Sequence, residues 1–184
     1  MHYELYNNSM RVISGKYRGK VLKSPKSDNI RPTGDKVKQA LFTKLQFFVQ
    51  DKVVLDLFSG SGALGIEAIS HGAKKVFFVD KDSRSILLTK ENLKGIVGDY
   101  KVMHCDYKTA LLSIDQKIDL ILVDPPYASG YYEDILQTIY EKDLLANDGI
   151  IVCEHPSTIE ISFNNYNIEQ KQYGTVKLSY FSKK

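Results

Sequence analysis

The chain has 184 residues, 43% hydrophobic and 26% charged, which suits one domain with a full core. No apolar run approaches the ~20 residues of a membrane-spanning helix, so a membrane-embedded protein is not expected. The formal charge of +3 conceals an asymmetry: residues 1–50 carry ten Lys/Arg against three acids, +7, while the remainder carries −4. A basic segment on a mildly acidic body points to a polyanionic partner, although a solvated basic face has the same composition. The opening MHYELYNNSM lacks the basic and apolar regions of a secretion signal. Cys105 and Cys153 sit in apolar runs without metal-ligand spacing. They read as buried, reduced thiols, so a cytoplasmic, metal-free protein is expected.

In chain order, residues 10–23 (MRVISGKYRGKVLK) predict two short strands around GKYRG. Their apolar content is small, which suggests an appendage. SPKSDNIRPTG reads as loop, with Thr33 or Asp35 available to cap a helix in which Val37, Ala40, Leu41, Leu45 and Phe48 recur near a 3.6-residue period. A regular alternation follows: strands at 52–58, 74–80, 100–106, 118–124 and 149–155, and helices at 62–72, 83–96, 107–114 and 131–145. Alternation of this kind implies right-handed crossovers and a parallel sheet. The strands lack strict polar alternation, as strands covered on both faces do. The tail breaks the pattern: two strands joined through YG predict a closing antiparallel hairpin.

Ligands of open α/β sheets lie beyond the carboxyl ends of the strands. Here each of the five strands ends at or next to an acid: Asp56, Asp80, Asp106, Asp124 and Glu154. One such acid is often only a cap or turn residue; five in succession are harder to explain structurally. DLFSGSGALGIEAI (56–69) also matches G-x-G-x-x-G through Gly60, Gly62 and Gly65. That spacing serves dinucleotides, and by itself it can be no more than a tight turn. A dinucleotide pyrophosphate, however, would be repelled by Asp56 beside the glycine turn. A ligand with a cationic end and no phosphate, such as S-adenosylmethionine, is favoured instead. Gly60 and Gly62 then permit close backbone approach, Asp80 accepts from ribose hydroxyls and Asp106 from an adenine amino group.

The stretch LVDPPYASGYY (122–132) sets two prolines directly after a buried strand. An exocyclic amino group is a poor nucleophile because its lone pair is delocalised into the ring. Two acceptors, the Asp124 carboxylate and the Pro125 carbonyl, can hold its two N–H bonds, aim the lone pair and stabilise developing positive charge. Tyr127 can stack on the base. Taken alone, the same four residues also make a rigid turn. His2, His71, His104 and His155 are scattered and read as structural or surface residues.

LDLFSGSGALGIEA, VDPPY and RVISGKYRGKVL…IRPTGDKVKQALF together resemble the bacterial enzymes that methylate N2 of guanine 966 in 16S ribosomal RNA, from about Met10 to Glu154. The resemblance implies a class I Rossmann-like methyltransferase fold, with a seven-stranded, mostly parallel sheet and an antiparallel last strand. Its methyl donor is S-adenosylmethionine, and its acceptor is a guanine of 16S rRNA in the small ribosomal subunit or its assembly intermediate. By position, Asp124, Pro125, Pro126 and Tyr127 form the amino-group site. Asp56, Phe58, Ser59, Gly60, Gly62, Asp80, Lys81, Asp106 and Tyr107 form the cofactor site. Arg11, Lys16, Arg18, Lys20 and Arg31 would contact RNA. A basic extension over 1–32, a methyltransferase domain over 33–184 and a monomer are expected. DNA adenine-N6 methylation is the alternative that the D-P-P-Y motif permits, but 184 residues show no separate target-recognition domain.

Overall fold

The computed structural model describes residues 6–25, 32–126 and 130–184. Tyr127 and Arg31 therefore lie outside the described residues. Two strands, β1 (Tyr6–Arg11) and β2 (Val21–Pro25), form a small antiparallel sheet. The main body runs α1 (Pro32–Leu45), β3 (Val53–Asp56), α2 (Ala63–Ser70), β4 (Lys75–Asp80), α3 (Ser83–Asn92), β5 (Tyr100–His104) and α4 (Tyr107–Ser113). It continues through β6 (Ile118–Val123), α5 (Tyr131–Glu141), β7 (Leu145–Pro156), β8 (Tyr166–Tyr173) and β9 (Val176–Lys183). The seven strands of the main sheet lie in the order β5-β4-β3-β6-β7-β9-β8. Pairings from β5 across to β7 are parallel, and β9 runs antiparallel to both of its neighbours. The chain leaves β3 for β4 on one side and later returns to β6 on the other. That reversal opens a crevice beyond the ends of β3 and β6.

Because successive strand residues face opposite sides, the sheet feeds two cores. Val54, Phe78, Leu122 and Val152 pack with Phe42 and Leu45 of α1 and Ile66 of α2. Leu55, Phe77, Ile121, Val123 and Ile151 pack with Leu111 of α4 and Ile135 and Ile139 of α5.

The parallel alternation and the closing hairpin follow the expectation, and the departures have local causes. The N-terminal strands lie further out than 10–23 suggests, and residues 12–20 are turns. Gly15 and Gly19 take left-handed φ values of 77° and 84° there. The segment closes on itself, the Val12 amide donating to the Lys20 carbonyl at 3.0 Å and the Gly19 amide to the Val12 carbonyl at 2.9 Å, and it also bonds to α2: the Lys16 amide donates to the Ser70 carbonyl at 2.8 Å and the Tyr17 amide to Ser70 Oγ at 2.9 Å. A Cβ on Gly15 would stand 2.1 Å from the Ser70 carbonyl oxygen, so only glycine permits this approach. Nor is the segment an appendage. Val12 and Leu22 are buried in the core formed by α1 and α2, while Val21 is exposed. Helix α1 starts at Pro32, so Thr33 and Asp35 lie inside its first turn rather than ahead of it. Helix α5 stops at Glu141 because Asp143 turns left-handed (φ 49°), and β7 begins at Leu145, four residues before the expected 149.

Candidate active site

The glycine loop between β3 and α2 is held by the residues around it. Gly62 is the helix N-cap with φ 80°, a conformation that disfavours any side chain. Its amide closes a turn onto the Ser59 carbonyl at 2.6 Å, while the Ser59 amide donates to the Val79 carbonyl at 2.8 Å. Asp80 at the end of β4 accepts from the Gly60 amide (2.9 Å) and the Asp82 amide (2.9 Å), tying two strand ends together. Thr89 of α3 donates to the Gly60 carbonyl at 3.0 Å. Gly65 lets α2 settle on β4: a Cβ there would stand 2.2 Å from the Phe78 ring.

Asp56 is 2% exposed and accepts from the Gly65 amide at 3.0 Å. It therefore pins the first turn of α2 to β3. Burial, opposed by the Gly65 bond and reinforced by Asp124 and Asp80, pushes its carboxyl up to about 7. Asp124 follows β6 directly. It is open to a cavity yet enclosed by protein, and desolvation pushes it up to about 6. Glu154 on β7 is pushed up to about 8 by burial and then by the Asp124 charge. No described residue donates a hydrogen bond to either the Asp124 or the Glu154 carboxylate.

The cavity, about 340 Å³, lies beyond the β3 and β6 ends. Its floor is Phe58, Ser59, Gly60 and Ser61, with Ala63 and Leu64 of α2. Asp124 and Glu154 line the cavity as well, together with Lys38 of α1 and Met10, Ser24 and Pro25 of the N-terminal strands. Pro125 is buried and Pro126 exposed. On the other side of Phe58, three rings cluster: Phe58 to Tyr107 at 5.8 Å, Phe58 to Tyr131 at 6.4 Å and parallel, Tyr107 to Tyr131 at 5.1 Å. Tyr107 donates to Asp134 at 2.9 Å.

Thus the structure gathers Asp56, Phe58, Ser59, Gly60, Gly62, Asp80 and Tyr107 around one loop, with Asp124 beside it. Lys81 is exposed past the end of β4. Asp106 caps α4, accepting from the Thr109 amide (2.9 Å) and hydroxyl (2.7 Å), bonds that hold its carboxyl low. Arg11, Lys16 and Arg18 are exposed. Lys20 reaches the Lys94 carbonyl at 2.7 Å, fastening the N-terminal segment to the end of α3.

Sequence reasoning overlooked Lys38, Ser61, Leu64 and Tyr131, and gave Glu154 no role. It also missed Asn92. This buried side chain donates to the carbonyls of Lys23 (2.9 Å) and Ser61 (2.8 Å) and accepts from the Lys23 amide (2.8 Å), joining β2 to the glycine loop. Only the 3.6-residue spacing that places Asn92 on the same face as Thr89 hinted at it.

The sheet order, the glycine turn at the β3 end and the acid after β6 define an enzyme of the class I methyltransferase fold. The chain belongs to the family described as Conserved hypothetical protein 95, whose model matches residues 10–182. It is 38% identical over 157 residues to a Bacillus subtilis protein provisionally named rRNA methyltransferase YlbH, covering 83% of this chain and 85% of that protein. It is 31% identical over 151 residues to ribosomal RNA small subunit methyltransferase D of Escherichia coli K12, covering 80% and 75%. A solved Escherichia coli structure, provisionally described as methyltransferase yhhF, superposes with a TM-score of 0.84 at 26% identity, covering 95% of this chain and 98% of that one.

Proposed function

We propose that the protein transfers a methyl group from S-adenosylmethionine to the exocyclic N2 of a guanine in 16S ribosomal RNA. The observation that carries this reading is the Asp124 carboxylate. It stands at the cavity beside the glycine loop and has no donor among the described residues.

The residues present fit the donor. Asp124 and Asp80 both raise Asp56, so the β3 end is a region of crowded negative charge. A sulfonium with its ammonium relieves that crowding, whereas a pyrophosphate would add to it. The loop from Phe58 to Gly62 would hold the methionine part, and Asp80 would present its remaining lone pairs to the ribose. The Phe58, Tyr107 and Tyr131 rings offer a face for adenine. When bound, the donor supplies an electrophilic methyl group. Lys81 and Asp106 remain assigned to the cofactor side, with Asp106 contributing as the cap of α4.

On the acceptor side, Asp124 and the Pro125 carbonyl accept the two amino hydrogens. They turn the nitrogen lone pair toward the donor and stabilise positive charge as it grows on nitrogen. Pro126 fixes the backbone that presents them. Tyr127 is assigned to stacking on the base. A stacked base is out of reach, so the target guanine must be unpaired or flipped out. Arg11, Lys16, Arg18, Lys20 and Arg31 supply phosphate contacts, which give affinity rather than sequence choice.

Asp124→Ala tests the reading. It is expected to lower transfer by about 10²–10³-fold or more, with S-adenosylmethionine affinity, measured by calorimetry, within a few-fold of wild type. Near-full activity would overturn the assigned role.

A further inference from the structure

We infer that Glu154 reads the Watson–Crick edge of the target base, accepting from guanine N1–H beside the amino group held by Asp124. The inference rests on the guanine-N2 reading above and deepens it by assigning the choice of base.

The register of β6 and β7 pairs Val123 with Cys153, and the next step sets Asp124 beside Glu154. Val123 and Cys153 face the α4 and α5 core. By alternation, the two acids share the other face and line the same cavity. Adjacent strands stand about 4.8 Å apart, a spacing two side chains can close onto neighbouring donors of one base. Tyr132 Oη donates to the Glu154 carbonyl at 2.8 Å, and Glu154 pairs with Leu178 of β9, so the backbone that carries it is fixed on both sides.

The cavity therefore carries two carboxyl groups side by side. Burial and the Asp124 charge push Glu154 up to about 8, and N–H donors from a base would stabilise the ionised form in which it accepts. Guanine presents N1–H and N2–H₂ consecutively, which is the missing set of donors. Adenine presents an N1 lone pair at the corresponding place and has no hydrogen there to give the ionised carboxylate. A site built to bond an N–H rejects an analogue that lacks it far more strongly than a shape-selective pocket does.

The test uses small subunits reconstituted with the target guanine replaced by 2-aminopurine. This base keeps the N2 amino group but carries an N1 lone pair. The readout is the ratio of kcat/KM for guanine over 2-aminopurine, which a merely structural role would not move. Wild type is expected to prefer guanine by about 100-fold or more. In Glu154→Gln the new side-chain amide can donate to the N1 lone pair, so the ratio should fall at least about tenfold. Calorimetric titration with S-adenosylmethionine confirms that the variant is folded. An unchanged ratio, with both substrates slowed equally, would overturn the inference. So would a wild-type preference below about tenfold, which needs no variant. Wild type that leaves guanine unmethylated while binding the donor would instead overturn the parent reading, and this one with it.

Discussion

Glu67 gives the sharpest test of how the N-terminal segment is held. Its side chain is fully buried on α2. It accepts from the Ile13 amide (3.0 Å), the Ser14 amide (2.9 Å) and Ser14 Oγ (3.2 Å), with Lys38 Nζ at 4.0 Å and His71 Nε2 at 3.8 Å. Hydrogen bonds to a charged acceptor are worth about 1.5–3 kcal/mol each, and removing one partner of a buried charged network costs about 3–5 kcal/mol. Detachment of residues 12–20 would let water satisfy the freed amides, so the loss should not exceed that range. For a chain of this length each kcal/mol lowers the melting temperature by about 2–4 °C, so Glu67→Ala should lower it by roughly 10 °C. Glu67→Gln keeps an acceptor and should lose less. Calorimetry measures the global effect, and amide hydrogen exchange at Ile13 and Ser14 measures the local one. Unchanged melting together with unchanged protection at both amides would refute the reasoning.

Two further outcomes follow from the same geometry. Asp56 has its folded-state carboxyl raised from 3.8 to about 7, so folding stability is fully present at low pH and declines as pH rises from about 4 to 7, where the unfolded chain ionises first. Asp56→Asn keeps an acceptor for the Gly65 amide and should be more stable than wild type at pH 8, by at most about 4 kcal/mol. Urea titrations at pH 4 and pH 8 check this, and an equal difference at both would count against it. Lys16→Glu with Arg18→Glu should weaken RNA binding and reduce the slope of log affinity against log salt by roughly 1–2 for the two lost phosphate contacts. A slope identical to wild type would remove residues 12–20 from the interface.

The parallel part of the sheet was legible in the sequence because β3, β4, β6 and β7 carry apolar runs and each crossover ends at a glycine or an acid. The loop from Asp56 to Gly62 was equally legible, since its spacing and its acids are local. What depended on tertiary placement was not. The docking of residues 12–20 on α2 depends on Ser70 and Glu67, more than fifty residues away, and no local pattern in GKYRG encodes that. The division of labour among the acids was also hidden. Asp56 and Asp106 spend hydrogen bonds on helix starts, whereas Asp124 and Glu154 stay open; only the fold distinguishes them. Glu154 was visible as a strand-end acid, but its place beside Asp124 follows from the β6–β7 register rather than from spacing along the chain.

The central claim is methyl transfer to guanine N2 in ribosomal RNA. Small ribosomal subunits lacking the modification, incubated with methyl-labelled S-adenosylmethionine and this protein, test it most directly once the RNA is digested to nucleosides. The account predicts label in N2-methylguanosine. Label in N6-methyladenosine, or none while the donor demonstrably binds, would contradict it.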